Sequence, residues 1–185
     1  MSQYYYLVST LPLLSYDSEH LASTEYFLEQ CKKWLTAGDY VILKNTSISE
    51  FDSYKPGCAL LAKWQVWEVN LRNELVKLRA QKKGLEGDAY LLEVPEVLGT
   101  AEIAREAAAQ ESPLTAEELL NRARWSFLDD LEVGRFFTIE KLIIYYLRLQ
   151  ILQRKNLFNK EAGSERYKHI YQHITKEITG EGIDE

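Results

Sequence analysis

His169 and His173 stand one helical turn apart, with Glu177 a turn further on. That spacing could set two imidazoles and a carboxylate around a zinc ion on one helix face. The glutamate that zinc proteases carry directly after the first histidine is missing, so solvated histidines on a helix surface are the plainer reading. Asp129 and Asp130 supply two acids, but general acid-base work needs carboxyls converging across a cleft, and adjacency in sequence does not provide that. One of the two is expected to cap or pair while the other faces water. No GxxxxGK[ST], GxGxxG or GxSxG pattern occurs, so neither a phosphate-cradling loop nor a nucleophile elbow is encoded in those forms. Cys31 and Cys58 lie outside any CxxC or CxxH spacing and read as core thiols of a reduced protein. No catalytic residue, cofactor or metal is nominated.

Arginines are more informative. In Leu71-Arg72-Asn73-Glu74-Leu75-Val76-Lys77-Leu78-Arg79-Ala80, Arg72 and Arg79 are close to two full helical turns apart and project from one side of a helix. Glu68 is placed for an i,i+4 pair with Arg72. Planar guanidinium forks suit bidentate recognition of carboxylates, supplied either by the chain itself or by a partner. Leu147-Arg148, Ile151 and Lys155 repeat Leu71-Arg72, Leu75 and Arg79 at a constant offset, which would make two related helical units, 1–84 and 85–185, within one domain.

The charge distribution places these arginines in context. The chain of 185 residues carries a net charge of −6, which argues against nucleic acid as a partner. Yet residues 63–83 hold six basic and two acidic side chains, and 141–168 hold seven and two. Between them, 85–140 holds four basic and thirteen acidic ones. Two basic helices in an acidic molecule either pair internally or meet an acidic protein partner. No export signal is expected, since Pro12 interrupts the first apolar run and Lys32 is the first basic residue. No segment reaches the length of a membrane-spanning helix.

The elements that carry these residues read as helices. Leu60, Trp64, Trp67, Leu71, Leu75 and Leu78 define one face of a long helix over about 58–83, closed by Gly84. Its two tryptophans are expected to fill core. A helix over about 18–36 precedes it, while 39–43 fits a short helix or a strand. Residues 84–98 form a Gly- and Pro-punctuated connection with a short helix near 89–92. A helix-favouring stretch follows at 100–110, and Thr115 with Glu118 forms a capping box opening a helix that stops near Gly134. Further helices are predicted from about 138 to 158 and from Ser164 onward. The expected fold is all-α, a multi-helix domain with one long central helix. The opening Tyr4-Tyr5-Tyr6-Leu7-Val8 exposes too much apolar surface to stand alone, so it is expected to pack against that long helix or, as the second reading, to present a patch to a partner.

Three stretches together carry a resemblance: Tyr4-Tyr5-Tyr6-Leu7-Val8-Ser9-Thr10-Leu11-Pro12, then Leu71-Arg72-Asn73-Glu74-Leu75 with Leu78-Arg79-Ala80, and finally Phe136-Phe137 with 142–152. They resemble a small bacterial family, otherwise of unknown function, associated with V-type (A/V-type) ATP synthase. More distantly the chain is similar to the C subunit of those rotary ATPases, the homologue of the eukaryotic d subunit, best over 73–84. The resemblance implies a non-catalytic, all-helical adaptor that sits on the membrane rotor ring and receives the axle of a proton- or sodium-translocating motor. It would be cytoplasmic, peripheral to the inner membrane and not inserted. Its partners would be axle and ring subunits, met through Arg72, Asn73, Arg79 and Lys83 on one helix and Arg148, Arg154 and Lys155 on the other. The chain is shorter than a full C subunit, so it would be a reduced replacement or an accessory beside the rotor. A free-standing cytoplasmic helical scaffold or regulator is the alternative.

Overall fold

A computed structural model of the chain describes residues 4–17, 23–49 and 57–157, with Ile170 beyond them. Among the described residues the protein is all-helical, with seven α-helices and no strand. They are α1 (Tyr5–Thr10), α2 (Thr24–Trp34), α3 (Ala37–Lys44), α4 (Ala59–Lys83), α5 (Thr100–Ala108), α6 (Pro113–Glu132) and α7 (Ile139–Leu157). Of the helix predicted from Ser164 only Ile170 is described, and His169, His173 and Glu177 lie outside the described residues. The backbone divides into two compact units, Met1–Gln153 and Arg154–Glu185, and the description below concerns the first.

Local chemistry sets most boundaries. Ser23 caps α2 by accepting the Tyr26 amide at 3.0 Å, and Thr36 caps α3 by accepting the Asp39 amide at 3.2 Å. The Thr36 cap resolves the helix-or-strand ambiguity at 39–43 as helix. The capping box expected at Thr115 is corrected: α6 begins three residues earlier, behind Ser112, with Pro113 at its first position. Proline's fixed φ and missing N–H suit that position, so the helix starts there and Thr115 falls inside its first turn.

The longest helix, α4, has 25 residues and ends as its sequence suggests. Gly84 adopts φ 65°, and the amides of Gly84 and Leu85 donate to the carbonyls of Gln81 and Ala80 at 3.2 and 3.0 Å. These bonds satisfy end carbonyls in a left-handed cap that glycine enters without steric cost. The chain then turns back along α4. A Cβ on Gly87 would stand 3.0 Å from that of Ala80, and a single 3-10 turn, Asp88–Tyr90, follows. Two amide side chains of α4 hold the returning segment. Asn73 accepts from the Leu92 amide and donates to its carbonyl, at 3.1 and 2.8 Å. Asn70 donates to the Pro95 carbonyl at 2.7 Å and accepts from the Val97 amide at 3.3 Å. Small buried residues, Ala104 and Ala107, then let α5 lie close to its neighbours, and α5 packs on both α4 and α6.

The core is centred on α7 rather than on α4. Every side chain from Leu142 to Leu149 is buried, whereas the burial of α4 is confined to Leu60–Leu71. A helix apolar on all sides must be surrounded. The polar residues of α7 bind different neighbours: Arg148 pairs with Asp129 and Glu132 of α6, and Gln150 bonds Thr46 and Ile48 after α3. Gln153 bonds Thr24 of α2 at 3.1 Å. Phe27 stacks near Tyr145 and Tyr146, with centroids 5.1 and 5.7 Å away. The tryptophans fill core as expected: Trp64 and Trp67 are buried, and Trp67 lies nearly parallel to Phe127 at 4.6 Å.

The opening tyrosines do not pack as expected: Tyr4 is buried, while Tyr5 and Tyr6 stay more than half exposed. The interactions that fix them run to α2, α3 and the loop before α7. The Tyr4 amide donates to the Phe137 carbonyl at 2.6 Å, and its buried phenol donates to Asp39. Tyr5 meets Phe137 and Tyr6 meets Trp34, with centroids 4.6 and 4.7 Å apart. Successive helical side chains point about 100° apart, so three tyrosines in a row cannot share one covered face.

Candidate functional site

The most buried polar cluster lies between α4 and α6. Glu68 is fully buried on a stripe that is otherwise apolar. Its carboxylate accepts from Arg124 Nε at 2.9 Å and Nη2 at 3.0 Å, a bidentate fork, and from Arg72 Nε at 3.0 Å. Asn121 Oδ1 takes a further Arg124 proton at 3.0 Å, and Glu117 stands at 3.4 Å. Burial works against the Arg124 charge, but Glu68 and Glu117 outweigh it and raise the guanidinium's pKa. Arg72 also donates to the carbonyls of Ser49 and Ile48, at 3.1 and 2.9 Å. It therefore ties the loop after α3 to α4.

A second cluster lies between α6 and α7. Arg148 pairs with Asp129 and Glu132, lies 5.2 Å over the Trp125 ring, and shares Glu132 with Lys141. Burial pulls the Arg148 pKa down, with Asp129 opposing. Lys141 is lowered by burial and by the nearby Arg148 charge. Both adjacent acids are exposed, and Asp129 is the one that pairs, as the sequence suggested for two acids on a helix.

These two clusters sort the residues nominated for partner binding. Arg72, Asn73 and Arg148 are engaged by the chain's own groups. Arg79 and Lys83, i and i+4 on the last turns of α4, are exposed, and no described acid engages them. Arg154 and Lys155 belong to the second unit, and both have interaction partners. Arg79 lines a pocket of about 300 Å³ whose apolar wall includes Leu75, Leu78 and Leu120. At its edge Lys82 donates to the Ala108 carbonyl at 2.8 Å. Arg124 was missed from sequence because its partner lies 56 residues away. The available signal was Glu68 itself, an acid among buried α4 residues that demands a cation.

Cys31 is fully buried and Cys58 half-buried, and both are free thiols. Burial pushes the Cys31 thiol up from 9.0 to about 12. Burial, helped by Cys31, pushes the Tyr145 phenol from 10.0 to about 12. The sign of the linkage follows: the unfolded chain loses these protons near pH 9.0 and 10.0 while the folded chain retains them up to about 12, so unfolding within that range releases protons. Stability is expected to be level below about pH 9 and to fall between about pH 9 and 12, measured as Tm against pH. Cys31→Ala and Tyr145→Phe should each flatten that slope. A profile that both variants leave unchanged would contradict this assignment.

No helix among the described residues is long and apolar enough to cross a membrane. No cluster of three or more metal-ligating side chains occurs among them. No curated protein and no solved structure matches the chain. A protein-family model described as "Protein of unknown function (DUF2764)" matches residues 93–178, a span that starts in the segment returning along α4 and takes in α5, α6 and α7.

Proposed function

We propose that the protein is a non-catalytic component of a V/A-type rotary ATPase, a central-stalk adaptor between axle and membrane rotor ring in the manner of the C subunit. The reading rests on the sequence resemblance, and one structural observation supports it. The basic residues at the end of α4, Arg79 and Lys83, remain exposed, Arg79 beside an apolar wall, while Arg72 and Arg148 are engaged internally. An apolar floor with Arg79 and Lys82 at its edge, the acid Glu117 being paired with Arg124, suits an acidic helix or loop of a partner. An adaptor of this kind passes torque mechanically, through rigid helices and large contacts rather than through isolated surface ion pairs.

The test is a tagged pull-down from native membranes in mild detergent. The wild-type protein is expected to retain head, axle or ring subunits of the ATPase. The double reversal Arg79→Glu with Lys83→Glu is expected to release them with only a small drop in Tm, because neither side chain is hydrogen-bonded or ion-paired within the described fold and only the favourable helix-end dipole interaction is lost. Failure to retain any of those subunits would defeat the reading and favour a free-standing helical scaffold. Retention by the double variant would move the interface away from α4.

A further inference from the structure

A second pocket, of about 380 Å³, opens between α1, α2 and α7, away from the basic end of α4. That volume lies near the lower end of the roughly 300–1,000 Å³ typical of small-molecule sites. Leu7 and Phe27 form buried apolar surface within it, and Tyr6, Tyr26 and Trp34 supply aromatic walls. These three rings are 62%, 59% and 51% exposed, an unusual concentration of aromatic surface left in water. Tyr145 also lines the pocket, and its buried hydroxyl has no hydrogen-bond partner among the described residues.

The charge of the lining narrows the ligand. Lys33 is the single ionised group among the pocket's described residues, and no described carboxylate pairs with it. Its ammonium donates to Gln30 Oε1 at 3.4 Å, which holds it on the pocket's side of α2. A cationic ligand, which aromatic walls would otherwise favour, meets a like charge and no counter-ion here. A phosphate, which calls for several cations or converging backbone amides, is poorly served by one lysine. A flat apolar body with a single negative charge satisfies both the rings and the lysine. We propose that this pocket binds a one- or two-ring aromatic monocarboxylate, its ring against Tyr6 and Trp34 and its carboxylate on Lys33.

Isothermal titration calorimetry with naphthalene-2-carboxylate, against the neutral naphthalene-2-carboxamide, tests the assignment on the full chain. Saturable binding is expected for the carboxylate, with the carboxamide weaker by about two- to fivefold, the size of one solvent-exposed ion pair. Lys33→Ala should erase that difference, and Tyr6→Ala should weaken both compounds. Both substitutions are at exposed positions, and an unchanged circular dichroism spectrum would show that the fold persists. Absence of saturable binding at millimolar ligand would overturn the proposal. So would equal affinity for the two compounds, or binding that neither variant alters.

Discussion

Glu68→Ala is expected to lower the free energy of unfolding by about 3 kcal/mol or more, within the roughly 3–5 kcal/mol that follows when one partner of a buried ion pair is removed. The loss is not the worth of the pair itself. It arises because Arg124, 5% exposed, would keep its charge without the carboxylate that takes two of its protons. Asn121 and Glu117 remain nearby, which sets the estimate toward the lower end. Domains of this kind are stable by roughly 5–15 kcal/mol, so the variant would be marginal at 37 °C. Urea unfolding followed by circular dichroism measures the effect, and Glu68→Gln keeps a readable signal if the alanine variant is unfolded. The double change Glu68→Met with Arg124→Met should recover most of the loss, because an apolar pair leaves no orphaned charge. Arg72→Ala should cost much less, since that side chain is 37% exposed and its bond to Glu68 is screened by water. A Glu68→Ala variant within 1 kcal/mol of wild type would mean that Arg124 finds its charge balance elsewhere.

The contrast between Arg72 and Arg124 shows what sequence can carry. The i,i+4 pair of Glu68 and Arg72 is a property of one helix and is readable from spacing alone. The fork from Arg124 joins α6 to α4 and depends on how those helices cross, for which no local pattern exists. The same limit explains why Arg72 read as available to a partner: carbonyls of Ile48 and Ser49 occupy it, and a loop's position is set by the whole fold. Asn73 is a similar case, since an asparagine on a helix gives no sign that it will hold a returning segment. By contrast the buried stripe of α4, its Gly84 cap and the burial of its tryptophans follow from periodicity and residue size. Arg79 and Lys83 also kept their expected exposure, because two basic residues one turn apart at a helix end have favourable water and dipole interactions without any tertiary partner.

Leu147→Ala is the prediction that separates the two candidates for the core's centre. Leu147 is fully buried on α7, where removing three carbons leaves a cavity that close-packed neighbours fill only in part. The expected cost is about 3–5 kcal/mol, as for well-enclosed leucines. Leu75→Ala, at a half-buried position beside the α4 groove, should cost less than half as much, because water or side-chain motion relieves the void. The sequence pointed to α4 because its stripe is long and regular, which marks an amphipathic helix with one side in water. The shorter run Leu142-Ile143-Ile144-Tyr145-Tyr146-Leu147 has no such regularity, because a helix enclosed on every side needs no polar face. Equilibrium unfolding of both variants gives the comparison. If Leu75→Ala proves the costlier change, the long helix is the axis of the core after all, and the contacts from α7 to α2, α6 and the loop after α3 contribute less than their burial implies.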